Sequence, residues 1–328
     1  MDHQFPEAAR AAVNQASISR LDLSATGNPE GWPVPPLPAA VWHHLPEDGD
    51  GLEAAAAEYY DNANLLPVAG ALAATRLLPA LLPRAVVACI GPLAGAHVEA
   101  WTQAGHRPRL LQNATLPRAL AAATPYVLLA NPNDVSADRQ PHAVAVDAAK
   151  QLKKRGGWLI VDETFSDATP DDSLASLAGS AEAPNLIVLR SLDHFFGLAG
   201  ARVGFVLAAP DLLARMATAM GPWTVAGPSR AAARLALLDT AWQAAMRSRL
   251  LAAGQRLQQM LAPFGEVKST ALFAALNTPC ATELHAHLAR HGILVRHFEQ
   301  PALLRFGLPG DEAGWQRLAG ALANWNPA

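Results

Sequence analysis

NLIVLRSLDHFFGLAGARVGFVLAA, residues 185–209, holds two apolar runs of strand length, LIVL and VGFVLAA, joined by a polar, glycine-bearing connection. Neither run alternates apolar with polar residues, so neither has a face meant for water. The pattern recurs upstream in RAVVACI (84–90), PYVLLAN (125–131) and GGWLIVDET (156–164). Between these runs lie stretches with helical spacing, such as HVEAWTQAGH (97–106) and QPHAVAVDAAKQLKKRGG (140–157). Alternating β and α units with doubly apolar strands predict an α/β fold whose mixed, mostly parallel sheet is covered by helices on both faces.

Outward from this core the character changes. GNPEGWPVPPLP (27–38) carries five prolines, which forbid regular helix or ladder pairing and predict an extended arm. DGDGLEAAAAEYY (48–60) reads as a helix with acidic residues at its start, where the helix dipole favours them. After Pro210 come long Ala/Leu/Arg helices to about residue 262, then shorter α and β elements. The expected division is therefore an arm over 1–44 packing with the small domain, a large cofactor-type domain over 45–210, and connecting helices plus a small α/β domain over 211–328. No internal repeat is visible.

With 328 residues, 51% hydrophobic and 16% charged, the chain is long and apolar enough for a full core, which excludes a disordered protein. A net charge of -3 gives no basic surface, so nucleic acid and anionic membrane are not expected partners. Cys89 and Cys280 lie in apolar stretches and read as small buried hydrophobes, with neither a disulfide framework nor zinc-ligand spacing. The start MDHQFPEAAR lacks a signal-peptide pattern, and the most apolar window (77–95) is broken by Pro79, Pro83, Arg84 and Pro92. A cytoplasmic chain without a membrane span is the expectation.

In an open parallel sheet, ligands bind at the carboxyl ends of the strands, so the residues after each apolar run are the informative ones. PYVLLA is followed by Asn131-Pro132-Asn133-Asp134, WLIV by Asp162-Glu163, and LIVLR by Ser191-Leu192-Asp193-His194, with Arg202 eight residues further on. Each also has a plain reading: N-P as a turn, Asp after a strand as a helix cap, Arg as a surface ion-pair partner, Gly70 as the end of a turn.

Taken together, in this order, with GNPEGWPVPPLP, LPEDGDGLEAAAAEYY (45–60), LLPVAGALAA (65–74), VDETFSDATP (161–170), GPWTVAGP (221–228) and LLRFGLPGDEAGW (303–315), these segments resemble the threonine-phosphate decarboxylases of cobalamin synthesis, within the fold-type-I pyridoxal-phosphate enzymes of aminotransferase class I and II. The resemblance covers almost the whole chain. It implies that Asp162 pairs with the cofactor's pyridine nitrogen, and that Ser191, Arg202 and the helix start at Gly70 and Ala71 hold its phosphate. Asp134 matches another cofactor-contacting position, Arg305 the arginine that grips a substrate α-carboxylate, and Asn28 an arm position near the substrate. A homodimer and a phosphorylated amino acid, or similar anion, are implied as partners.

The chain departs from this pattern where the chemistry would sit. The family's lysine, three residues after the serine, forms the covalent imine to the cofactor; here that position is His194, and an imidazole has no primary amine. The only lysines are Lys150, Lys153, Lys154 and Lys268, none placed to substitute. The stacking aromatic corresponds to Ala94, the asparagine of the second N-P-N-N position to Asp134, and a phosphate-loop hydroxyl to Ala71. The implied reading is a divergent homologue without lysine-based catalysis, holding pyridoxal or pyridoxamine phosphate without a covalent link, or no cofactor. Two alternatives stand beside it: an enzyme with His194 as acid/base, and a non-catalytic partner subunit of an active paralogue. His194 itself reads as a hydrogen-bonded buried histidine, as a general acid/base, or, third, as a metal ligand, although no metal site is expected from the sequence.

Overall fold

The computed structural model describes residues 20–93, 95–112 and 114–326, so the first nineteen residues of the expected arm, and Ala94, lie outside the described residues. Strand β1 (Leu21–Asp22) precedes seven strands of one sheet: β2 (Leu65–Val68), β3 (Val86–Gly91), β4 (Arg107–Gln112), β5 (Tyr126–Ala130), β6 (Trp158–Asp162), β7 (Leu186–Ser191) and β8 (Gly204–Leu207). Their order is β2-β8-β7-β6-β5-β3-β4. Strands β3 to β7 pair in parallel, and β8 runs antiparallel to both β7 and β2. Strands β5 and β7 are buried at every position, as their unbroken apolar runs require. At the edge, β4 is RPRLLQ, mostly exposed, its arginines and proline discouraging pairing with a further chain.

The sheet belongs to a compact unit of residues 31–134 and 138–246. The sequence reading broke the chain at Pro210, but the helix Pro210–Met220 stays with the sheet: Leu212, Leu213 and Met216 enter the same apolar core as Val87, Ile160, Ile187 and Val206. The next helix, Gly227–Leu238, packs on the helix Leu52–Tyr60, and its Arg230 reaches Asp50 and Glu53 at 2.7 Å. Part of the proline-rich arm also lies here, where the Trp32 amide donates to Phe196 O (2.8 Å) and its indole to Asp239 (3.0 Å).

Among the described residues, the second unit comprises 20–30, 135–137 and 247–326, and the chain enters it within the helix Thr240–Leu261. It contains β9 (Glu266–Ser269), β10 (Phe273–Asn277), β11 (Ile293–Leu294), β12 (Arg296–Phe298) and β13 (Leu303–Gly307). An antiparallel sheet of order β12-β13-β10-β9 accompanies the helices Ala281–Arg290 and Glu312–Ala323. The latter helix starts at Asp311, whose carboxylate accepts from the Gly314 amide, so the sequence PGDEAG caps itself. Residues 21–22 of the arm pair in parallel with β11. No helix among the described residues is long and apolar enough to cross a membrane.

Candidate functional site at the carboxyl edge of the sheet

The topology gathers the residues singled out in the sheet unit. Ser191 ends β7 and lies in register with Gly204, the first residue of antiparallel β8, which also faces Val68, the last residue of β2. Ala130, which ends β5, is in register with Asp162, which ends β6. Gly70, Ala71, Asp134, Asp162, Ser191, His194 and Arg202 therefore all fall at one edge of one sheet.

At one end of this edge is a cradle suited to an anion. Gly70 has φ +78°, and a Cβ built there would stand 2.3 Å from Nη2 of Arg202, so the Arg202 guanidinium lies directly over the Gly70 turn. The helix Ala71–Leu77 begins at that turn, with first amides that have no earlier helical carbonyl to bond. Arg202, itself at φ +52°, donates through Nη1 to Asp193 Oδ2 and Ala199 O, each at 3.0 Å. The Asp193 amide in turn donates to Ser191 Oγ (3.0 Å). A guanidinium, a hydroxyl and helix-start amides converge here, the donor set that phosphate oxygens accept from.

Further along, Asp162 Oδ2 accepts from His97 Nε2 at 2.8 Å, and Oδ1 accepts from the Thr164 amide at 3.0 Å. His97 is buried, and Asp162 is largely covered, its side chain 15% exposed. Burial opposes their charges, yet the hydrogen bond and mutual attraction hold the Asp162 carboxyl below the ordinary carboxylate range. Against the same burial penalty, Asp162 raises the His97 imidazole above its ordinary value, and the charge of Asp134 adds to that. Both shifts favour the charged forms, so each partner stabilises the charge of the other. Sequence reading missed His97, whose partner is 65 residues away; its one signal is a histidine early in the helix Gly95–Gln103 that follows the end of β3. The neighbouring Asn133 donates from Nδ2 to Pro92 O at 2.6 Å, tying the loops after β3 and β5 together.

His194 sits in a turn shaped by backbone atoms: Leu192 donates to Val203 O and Leu198 to Leu192 O, both at 3.1 Å, and Gly197 to His194 O at 3.3 Å. Its ring is half-buried and stacks on Phe165, with centroids 3.8 Å apart and planes at 22°. Lys150 and Lys153 lie on the helix His142–Lys153, which leads into the opposite end of β6, with Lys154 at its C-cap. Lys268 is on β9 in the second unit. Among the described residues, no group of three or more His, Cys, Asp or Glu side chains is arranged to hold a metal ion.

In the second unit, Arg305 on β13 lies with its guanidinium 5.7 Å from the rings of Phe273 and Phe298, and Nη2 donates to Ser24 O at 3.4 Å. Arg296 on β12 stands directly opposite it in register. The register thus sets two guanidinium-bearing residues side by side on neighbouring strands. Arg296 was not singled out from the sequence; its signal is its position one strand before LLRFG. Asn28 is buried in the same unit and accepts from the Glu30 amide at 2.9 Å.

Comparison with known proteins supplies the context. The aminotransferase class I and II family pattern matches residues 51–322. The chain is 45% identical over 304 residues to a threonine-phosphate decarboxylase of Pseudomonas aeruginosa, covering 92% of this chain and 91% of that protein. It is 37% identical over 312 residues to one from a Sinorhizobium species, with the same two coverages of 92% and 91%. Among solved structures, histidinol-phosphate aminotransferase from Sinorhizobium meliloti in complex with pyridoxal-5'-phosphate superimposes with a TM-score of 0.81, at 24% identity, over 98% of this chain and 94% of that one. L-threonine-O-3-phosphate decarboxylase from Porphyromonas gingivalis gives 0.76 at 18% identity, over 92% and 98%. At these identities the two structures speak to the fold.

Proposed function

Because the chain belongs to the aminotransferase class I and II family, among homologues of threonine-phosphate decarboxylase, we propose that its sheet-edge site binds pyridoxal or pyridoxamine phosphate reversibly and has lost lysine-based catalysis. The observation that carries this reading is a contrast at one edge. The anion cradle and the ionised Asp162 are in place, while residue 194 is a histidine and the lysines lie elsewhere. Those donor groups fit a phosphorylated pyridine. They do not fit a covalent link to the protein, because an imidazole cannot condense with an aldehyde as a primary amine does.

Bound there, the cofactor would supply an electron-accepting ring that stabilises negative charge on a substrate carbon. Ser191, Arg202 and the amides at Ala71 would hold its phosphate, and Asp162, kept ionised by His97, would hold a proton at the ring nitrogen. Asp134 places a carboxylate where an amide donor is expected, which weakens any contact to an anionic ring oxygen. By analogy with the homologous threonine-phosphate decarboxylases, the ligand that accompanies the cofactor is a phosphorylated amino acid or similar anion. By analogy with the family, the working form is a homodimer.

A second reading makes the protein an enzyme with His194 moving a proton through a ring nitrogen, and the half-buried position of that ring favours it. A third makes it a non-catalytic partner of a complete paralogue. Calorimetric titration of ligand-free protein with each cofactor form tests the first reading: micromolar binding, with no borohydride-fixed adduct by intact mass, is the expected result. No binding of either form refutes it and turns attention to the third. Turnover of threonine phosphate at ordinary enzyme rates by the isolated chain refutes the loss of catalysis. His194→Lys should gain the reducible adduct.

A further inference from the structure

Successive strand residues point to opposite faces, so Glu163 and Arg190 leave the sheet on the side away from their neighbours Asp162 and Ser191. There they build a buried cluster that the functions assigned above do not use. Arg190 is 1% exposed, and Glu163 and Asp167 are 0% exposed. Arg190 donates from Nη1 to Glu163 Oε2 (2.9 Å) and Ser173 Oγ (3.0 Å), and from Nη2 to Asp167 Oδ1 (2.6 Å). Glu163 Oε1 accepts from the Leu174 amide (2.8 Å), and the Tyr59 hydroxyl donates to Asp167 Oδ1 (3.0 Å). The guanidinium also lies 4.9 Å from the centre of the Tyr60 ring.

Five pieces of chain meet at this one guanidinium: the ends of β6 and β7, the segments at 167 and 173–174, and the helix Leu52–Tyr60. The Tyr59 ring continues to Phe196 (5.7 Å), in the turn that carries His194. Phe165, on which His194 stacks, lies between Glu163 and Asp167. A buried ionic cluster is a poor source of stability, since well-packed apolar side chains of similar volume hold strands at least as well. What it adds is direction: one planar guanidinium bonded through Nη1 to Glu163 and through Nη2 to Asp167 fixes angles as well as distances between the two segments.

We propose that Arg190, acting with Glu163, Asp167 and Tyr59, is the positioning residue of the sheet-edge site, setting the span between its Asp162 end and its Ser191–Arg202 end and seating Phe165 against His194. This rests on the reading of that edge as a site for a phosphorylated pyridine. A ligand that engages both ends is sensitive to the span. A ligand that engages only the cradle is not.

The test uses the full-length variants Tyr59→Phe and Glu163→Gln, with Arg190→Lys as the severest. In ligand-free protein, the ring-proton NMR signal of His194, assigned by its loss in His194→Asn, reports the stack on Phe165. It should move toward the position of an unstacked imidazole in each variant that melts near the parent temperature. Affinity for pyridoxal phosphate should fall about tenfold while that for inorganic phosphate stays within about twofold, because small misplacements cost most where two contacts must be met together. An unmoved His194 signal in folded Tyr59→Phe and Glu163→Gln overturns the proposal, as does an equal loss for both ligands. If the signal moves but the parent protein binds no cofactor, the positioning role stands and the functional reading falls.

Discussion

Replacing His97 by Asn is the sharpest probe of the Asp162 pair. The substitution leaves a largely covered carboxylate, its side chain 15% exposed, still bonded by Thr164 through its amide at 3.0 Å and through its side chain. Removing one partner of a buried pair costs about 3–5 kcal/mol, and the surviving Thr164 contact puts the expectation at the lower end, about 3 kcal/mol. Asp162→Asn should cost less, about 1 kcal/mol, because an unpaired imidazole can shed its proton and keep a neutral hydrogen bond. The two partners also give opposite pH dependence. His97 holds its proton more tightly folded than unfolded, so its contribution is full below the ordinary imidazole value of about 6.5 and is lost as pH rises through the higher folded value. Asp162 contributes above the ordinary carboxylate value of about 3.9 and loses that contribution as pH falls through its lower folded value. Urea unfolding at pH 5.5 and 8.5 reads both effects: the parent should be more stable at 5.5 on account of this pair, and His97→Asn should lose that difference. A His97→Asn protein within about 1 kcal/mol of the parent at pH 5.5, less than a typical neutral hydrogen bond and its desolvation together, would refute the ion-pair account.

Gly70→Ala forces a side chain into a left-handed turn beneath the Arg202 guanidinium; the protein should lose about 1–2 kcal/mol by thermal melting, and phosphate affinity should fall at least about tenfold. Gly179→Ala serves as its control, since its Cβ would meet the backbone of Ala208 at 2.2 Å, which cannot swing aside; it should cost about 3 kcal/mol while the folded fraction binds phosphate as before. Arg305→Lys keeps the charge but loses the planar fork, and binding of threonine phosphate by calorimetry should weaken about tenfold, with unchanged affinity refuting a bidentate grip. Arg230→Met leaves Asp50 and Glu53 without their shared partner; because both are about one third exposed, the loss should be modest, about 1–2 kcal/mol in urea.

The parts of the fold legible in the sequence are those where burial leaves no choice of residue. Strands β5, β6 and β7 announce themselves because both their faces are covered, so water-compatible residues are excluded from nearly every position. The edge strand β4 does not, because RPRLLQ faces solvent and carries no periodic signal. The break expected at Pro210 follows a true change in composition, but that change marks helices with one wet face; three apolar residues of the helix Pro210–Met220 are enough to keep it on the sheet. At the candidate site, strand ends could be located because topology sends all of them to one edge. The pairings across that edge could not. His97 with Asp162, and Arg190 with Asp167, join residues whose proximity exists only once the strands are laid side by side.

The turn over 192–198 has a further consequence. Its shape depends on main-chain bonds at 192, 197 and 198, on the Ser191 hydroxyl, and on Phe195 and Phe196, both fully buried. None of those supports is the side chain of residue 194. The position behaves as a socket: beside the ring's stack on Phe165, the turn is framed by main-chain bonds and two buried neighbours, so the strands on either side do not depend on which side chain stands at 194. Change of chemistry and loss of fold are thereby decoupled at this one residue, which makes it a natural point for diversification and a convenient one for installing new reactive groups by design.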